Sequence, residues 1–138
     1  MNEFHLDVAG PSGDCAVVRV AGEVDVCTAP ALREQIRDLA AKGTTHVIAD
    51  LSRAEFIDST GLGVLIGGLK RLREDDGSLA LVISTARILR VFQLTGLTRV
   101  FAVQDTVAAA ISADPHWRRT ADANAGSVGE WCRRHGLS

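Results

Sequence analysis

The 138-residue sequence has no tyrosine and few aromatic residues of any kind, which argues against a base-stacking platform for single-stranded nucleic acid. It also lacks an excess of positive charge. The formal net charge is −2, whereas general nucleic-acid binding needs a surplus of Lys and Arg, so no direct nucleic-acid partner is expected. Cysteine is sparse: Cys15, Cys27 and Cys132 are an odd set without CxxC spacing, and neither a disulfide framework nor a zinc site is expected. Cys15 lies in a valine-rich run and reads as a small core residue. No apolar run approaches the ~18 residues that span a bilayer. The start, Met1 to His5, lacks the basic-then-apolar pattern of a signal peptide. These absences point to a cytoplasmic protein with no membrane role.

What is present suits one domain with its own core, followed by a tail. Phe4, Leu6 and Val8 alternate with polar or small residues, the period of a strand. A turn cluster at Gly10–Asp14 leads into a second strand, Cys15–Ala21, which ends at Gly22. Thr28-Ala29-Pro30 reads as a helix entry, with Thr28 as the capping hydroxyl and proline in the first turn. Leu32, Ile36 and Leu39 supply its buried stripe, and Gly43 stops it. His46–Leu51 is a short buried strand. A helix from Ser59 to about Arg73 carries Leu62, Leu65, Ile66, Leu69 and Leu72 on one face. Leu79–Ile83 is a strand, Ala86–Thr95 a helix with Ile88, Val91 and Phe92 inward, Val100–Val103 a strand and Thr106–Ser112 a helix. Strands alternating with helices imply an α/β fold: a mostly parallel central sheet of about five strands, one antiparallel edge strand and about four helices. The domain spans residues 1–113. Residues 114–138 form a basic tail, with four Arg against three acids, that holds both tryptophans, Trp117 and Trp131. It reads as a mobile tail or as a helix folded back through those tryptophans, in preference to a partner-binding arm.

The chemistry concentrates at Asp58-Ser59-Thr60-Gly61-Leu62-Gly63, at the start of the Ser59 helix. Helix N-termini offer unpartnered N–H groups and favour anions. The glycines Gly61, Gly63 and Gly67 do not make a dinucleotide fingerprint, because the preceding strand is expected to end near Leu51 and no ribose-binding acid follows. Gly67 and Gly68 suit close helix-to-sheet packing. Gly68-Leu69-Lys70 is not a phosphate-binding Walker loop. There is no G-x-S-x-G elbow, and the scattered histidines (His5, His46, His116, His135) give Ser59 no evident base. Asp50, Asp58 and Asp75 lack metal-ligand spacing, so no metal is expected. Asp, Ser and Thr before a helix are also ordinary N-caps, but three polar residues and two glycines exceed what one cap needs.

Three segments together resemble the anti-sigma factor antagonist family, bacterial proteins built on the STAS domain: Gly22-Glu23-Val24-Asp25 with Thr28-Ala29 and Leu32; Phe56 to Leu65; and Leu94-Thr95-Gly96-Leu97 with Val100-Phe101. The resemblance covers about residues 4–112. It implies a regulatory protein, not an enzyme, that needs no cofactor. Its partner would be an anti-sigma factor with serine kinase activity and a GHKL-type ATP site, and a serine phosphatase would reset the switch. The family's acceptor is the residue after the motif Asp, here Ser59, with Thr60 as the alternative. The partner surface implied comprises Glu23, Asp25, Thr28, Asp58, Ser59, Thr60, Gly61 and Leu62. Two other readings remain open: a STAS interaction module without a phosphoswitch, and a small nucleotide-binding or hydrolytic domain.

Overall fold

The computed structural model describes residues 3–137. Five strands form one sheet in sequence order: β1 (His5–Ser12), β2 (Cys15–Val24), β3 (His46–Ile57), β4 (Ser78–Val82) and β5 (Val103–Gln104). β1 pairs antiparallel with β2, and the other neighbours are parallel. The expected α/β architecture with one antiparallel edge strand is therefore present. The helices are α1 (Ala29–Ala41), α2 (Ser59–Arg73), α3 (Ala86–Leu94), α4 (Val107–Ser112), α5 (Pro115–Ala125) and α6 (Val128–Arg134). Among the described residues that is two more helices than expected, and both lie beyond residue 113.

The interior strands are buried on both faces, as parallel strands under crossover helices must be. Ala16, Val18 and Val20 of β2, with Val47, Ala49 and Leu51 of β3, pack against Leu32 and Ile36 of α1, Leu65 and Leu72 of α2, and Phe92 of α3. Cys15, Val17, Ile48 and Val82 face the other way and meet Ile111 of α4, Trp117 of α5 and Trp131 of α6. Val91 and Ile66, expected inward, are only half-buried.

Four boundaries differ from the sequence reading. β1 runs through the expected turn cluster to Ser12, with a register shift between Ala9 and Ser12. β2 does not stop at Gly22. The glycine takes φ +90° at a register shift and the strand continues to Val24, so Gly22 marks a bulge. A Cβ there would lie 2.8 Å from the Glu3 carbonyl oxygen. β3 does not end near Leu51 but runs to Ile57. Beyond Asp50 it has β2 alone as a neighbour; Arg53 and Phe56 are exposed, Ser52 and Glu55 half-buried and only Ala54 buried, and this mixed composition hid the strand. β5 starts only at Val103, because Leu97–Arg99 is a 3₁₀ turn entered through Gly96 at φ +75°.

Of the two conformations open to the tail, the structure has the folded-back one over the described residues 114–137, with two helices in place of one. Trp117 and Trp131 are buried, and their rings meet edge to face with centroids 5.2 Å apart. Trp131 Nε1 donates to Ser12 Oγ at 3.0 Å, and Arg19 donates to the His135 carbonyl at 3.2 Å, tying α6 to the hairpin.

Candidate functional site at the start of α2

The site is built where β2 and β3 end side by side. Val24 pairs with Ile57, and the Asp58 N–H donates to the Val24 carbonyl at 3.1 Å. The chain then turns into α2. Asp58 is extended, and its Oδ1 accepts from the Gly61 N–H at 3.1 Å, while its carbonyl accepts from Leu62 at 3.0 Å. This is a side-chain N-cap, which engages Asp58 Oδ1 with the backbone. Gly61 sets how closely the helix approaches. A Cβ on it would lie 2.7 Å from Ile57 Cγ1 and 2.8 Å from Val24 Cγ1. Gly68 likewise leaves room for Ile36 of α1, with a Cβ-to-methyl distance of 3.1 Å. Gly67, expected to pack in the same way, and Gly63 have open space where a side chain would be.

Ser59 is the first residue of α2. It is exposed, and its hydroxyl has no hydrogen-bond partner among the described residues. Its backbone N–H is one of the four that an α-helix leaves without an internal acceptor at its N-terminus. Thr60 is half-buried and turned toward α1. There it lines a groove of about 490 Å³ that also touches Arg33, Arg37 and Arg71. Arg71 is paired with Asp75 at 2.6 Å and Arg37 with Glu34 at 3.6 Å, whereas Arg33 has no acid partner among the described residues.

The loop from β2 to α1 reaches the same end of the sheet. Glu23 is exposed opposite Phe56, and Asp25 follows at the strand's end. The expected cap at Thr28 is not made. Its hydroxyl donates to the Glu23 carbonyl at 2.7 Å and accepts from the Asp25 N–H at 2.9 Å. Asp25 closes the turn instead, with Oδ1 accepting from Cys27 and Thr28 and its carbonyl accepting from Ala29 at 2.8 Å. The structure thus brings Glu23, Asp25, Thr28, Asp58, Ser59, Thr60, Gly61 and Leu62 to one end of two adjacent strands. Gly61 and Leu62 are buried beneath the surface that the others present.

Sequence reasoning did not single out Val26 and Phe56, which are 66% and 47% exposed at this end. The signal for Phe56 was its place beside Ile57: neighbours in a strand face opposite ways, and Ile57 is the buried one. The premise used against a dinucleotide loop is also corrected, since α2 does follow directly on a strand. The first glycine, however, is filled by Val24 and Ile57 and offers no open backbone to a pyrophosphate.

This fold, with an exposed serine just after a capped strand-to-helix turn, is that of a STAS domain, and the STAS domain family model matches residues 7–110. The chain therefore belongs to the STAS-domain family of anti-sigma factor antagonists. It is 41% identical over 100 residues to the anti-sigma-B factor antagonist of Bacillus subtilis, covering 72% of this chain and 90% of the relative. The crystal structure of an anti-sigma factor antagonist from Mycobacterium paratuberculosis superposes with a TM-score of 0.73 at 32% identity, over 80% of this chain and 93% of that one. The Bacillus cell fate determinant SpoIIAA in its phosphorylated form gives 0.62 at 27% identity, over 80% and 98%. No helix among the described residues is long and apolar enough to cross a membrane.

Proposed function

We propose that this protein is a cytoplasmic anti-sigma factor antagonist whose affinity for its partner is set by phosphorylation of Ser59. Unmodified, it binds an anti-sigma factor through the end of the sheet formed by Glu23, Asp25, Thr28 and the start of α2, and the sigma factor is freed. The anti-sigma factor, acting as a serine kinase, phosphorylates Ser59 and the complex separates. A serine phosphatase resets the cycle. The antagonist's part is regulatory, and the chemistry belongs to its partners.

The observation that carries this reading is the exposed, unbonded Ser59 hydroxyl at the first position of a helix whose cap is already supplied by Asp58. The cap does not need Ser59, so the hydroxyl is free for modification. A phosphate would add roughly −1.5 to −2 charges at pH 7. The helix dipole and free N–H groups tolerate that charge within the antagonist itself. The docked partner meets it as new bulk and charge, beside Asp58 and close to Glu23 and Asp25. Loss of ~2–4 kcal/mol at such an interface is a ~30–1000-fold change in affinity, enough for a switch.

Incubation with the cognate anti-sigma kinase and ATP should place one phosphate on the protein, mapped to Ser59 by mass spectrometry. It should be absent from Ser59→Ala and kept in Thr60→Ala. A phosphate that follows Thr60, or none with any anti-sigma kinase, would sink the assignment.

A further inference from the structure

At the opposite end of the parallel strands from Ser59, four polar side chains meet where α5 lies on the sheet. Cys15 opens β2 and His46 opens β3. They are ladder partners, so their side chains leave the same face. Asp14 comes from the turn between β1 and β2. His116, in the first turn of α5, closes over them, with Nε2 2.7 Å from Asp14 Oδ1 and its ring stacked on His46 at a centroid distance of 3.8 Å. The histidines that looked scattered in sequence are therefore partly gathered: His46 and His116 share this site.

Cys15 Sγ stands 3.6 Å from Asp14 Oδ1, and His46 Nε2 stands 3.9 Å from Asp14 Oδ2. One ligand atom from each of Asp14, Cys15 and His116 lies within 4.8 Å of the others. His46 Nδ1 is engaged by Ser78 Oγ at 3.1 Å, which fixes the ring and leaves Nε2 on the side of the cluster. His46 itself stays outside the converging donors: its ring lies flat on that of His116 and braces it.

We propose that Asp14, Cys15 and His116 form a three-donor zinc-binding site, its fourth position left to water, that clamps the tail helices to the sheet. Thiolate sulfur, imidazole nitrogen and carboxylate oxygen are the donors that Zn²⁺ takes, at bonds of about 2.0–2.3 Å. Tetrahedral ligands at those lengths are roughly 3.5 Å apart, so the sulfur-to-carboxylate spacing fits. The His116–Asp14 contact would open by less than about 1 Å. Mg²⁺ and Ca²⁺ call for all-oxygen shells and do not fit a thiol. In the metal-free site the Cys15 S–H is a donor 3.6 Å from both Asp14 Oδ1 and Thr120 Oγ1. Binding forms the Zn–S bond and releases that proton to solvent, one per ion bound. The consequence is structural: the ion would join the β1–β2 turn, the start of β2 and α5 beside the buried tryptophans.

The test is titration of the full chain with Co²⁺, which reports sulfur ligation optically. The expected result is a thiolate-to-cobalt charge-transfer band that saturates at one equivalent and is displaced by Zn²⁺. The band should be unchanged in Cys27→Ser, whose thiol is exposed, and lost in Cys15→Ser. Affinity should fall at least ~10-fold in His116→Ala. That side chain is only partly buried, and tryptophan fluorescence checks that the variant keeps its fold. A wild-type protein without the band would overturn the proposal. So would a band that survives Cys15→Ser or vanishes in Cys27→Ser. If Cys15→Ser fails to fold, unchanged Co²⁺ affinity in His116→Ala overturns the proposal alone, leaving the cluster a hydrogen-bonded junction.

Discussion

The two faces of the sheet are covered by different kinds of sequence. On one side, α1, α2 and α3 supply Leu32, Ile36, Leu39, Leu65, Leu69, Leu72, Ile88 and Phe92, spaced at helical intervals. On the other, α4, α5 and α6 bring Val107, Ala110, Ile111, Ala121, Cys132 and two tryptophans. The first face spreads its burial over many medium side chains. The second concentrates it in Trp117 and Trp131, so single substitutions there should weigh more. The contrast also separates roles. The Ser59 site is an extension of the first face, while the second face holds the tail and the Cys15–His116 cluster.

The sharpest way to break this comparison is Trp131→Ala. It removes a fully buried indole, its edge-to-face partner contact and its bond to Ser12, and should cost about 3–5 kcal/mol in denaturant unfolding. Below the transition, phosphorylation by the kinase should be unchanged, because the residue lies on the face away from α2. A loss under ~1 kcal/mol would mean that α6 is not integral to the fold.

Next in size, Ser59→Asp should weaken partner binding by ~2–4 kcal/mol while moving the unfolding free energy by less than about 0.5 kcal/mol. The acid is at a helix N-terminus, where negative charge is welcome. Isothermal titration with the anti-sigma factor, beside unfolding of the free protein, separates the two quantities. Equal losses in both would show that the variant disturbs the fold and not the interface.

How each face was read from sequence follows the same division. Leu62, Leu65, Leu69 and Leu72 recur often enough for the period of α2 to show without a structure. α5 buries only Trp117 and Ala121, and α6 only Trp131 and Cys132, too few positions to declare a period. Their capping signals were nevertheless present. Asp114 accepts from His116 and Trp117, Ser127 accepts from Glu130, and Gly126 ends α5 at φ +87°. A small, polar composition masked them. At the site, the Asp58 cap and the position of Ser59 were legible because they are local. That Asp25, not Thr28, closes the turn into α1 was not, because both carry a suitable oxygen and only the path of the chain decides. The meeting of Cys15, His46 and His116 depends on strand register and tail docking, which no local pattern encodes.

Two middle-sized effects probe how the site is held. Gly61→Ala drives a methyl to within 2.8 Å of both Val24 and Ile57 and should cost ~1–3 kcal/mol. Asp58→Ala removes the cap to Gly61 and should cost ~0.5–2 kcal/mol. Both are read by denaturant unfolding. Both should also slow phosphorylation of Ser59 by letting the helix start shift or fray. A Gly61→Ala protein of unchanged stability would show that the two strand ends can part without penalty.

The smallest effect has the opposite sign and comes from two residues further along the same helix. Gly63 lies inside α2, is exposed, and has nothing within 4 Å of where a Cβ would stand. Glycine in a helix interior loses more backbone entropy on folding than alanine does, by roughly 0.5–1 kcal/mol. Gly63→Ala should therefore raise the unfolding free energy by that much, while Gly61→Ala lowers it. Since the two substitutions share chemistry and helix, propensity cannot explain a difference in sign; only the neighbours can. Matching changes in the two variants would remove the claim that Val24 and Ile57 fix the start of α2, and with it the argument that the fold presents Ser59 rigidly to a partner.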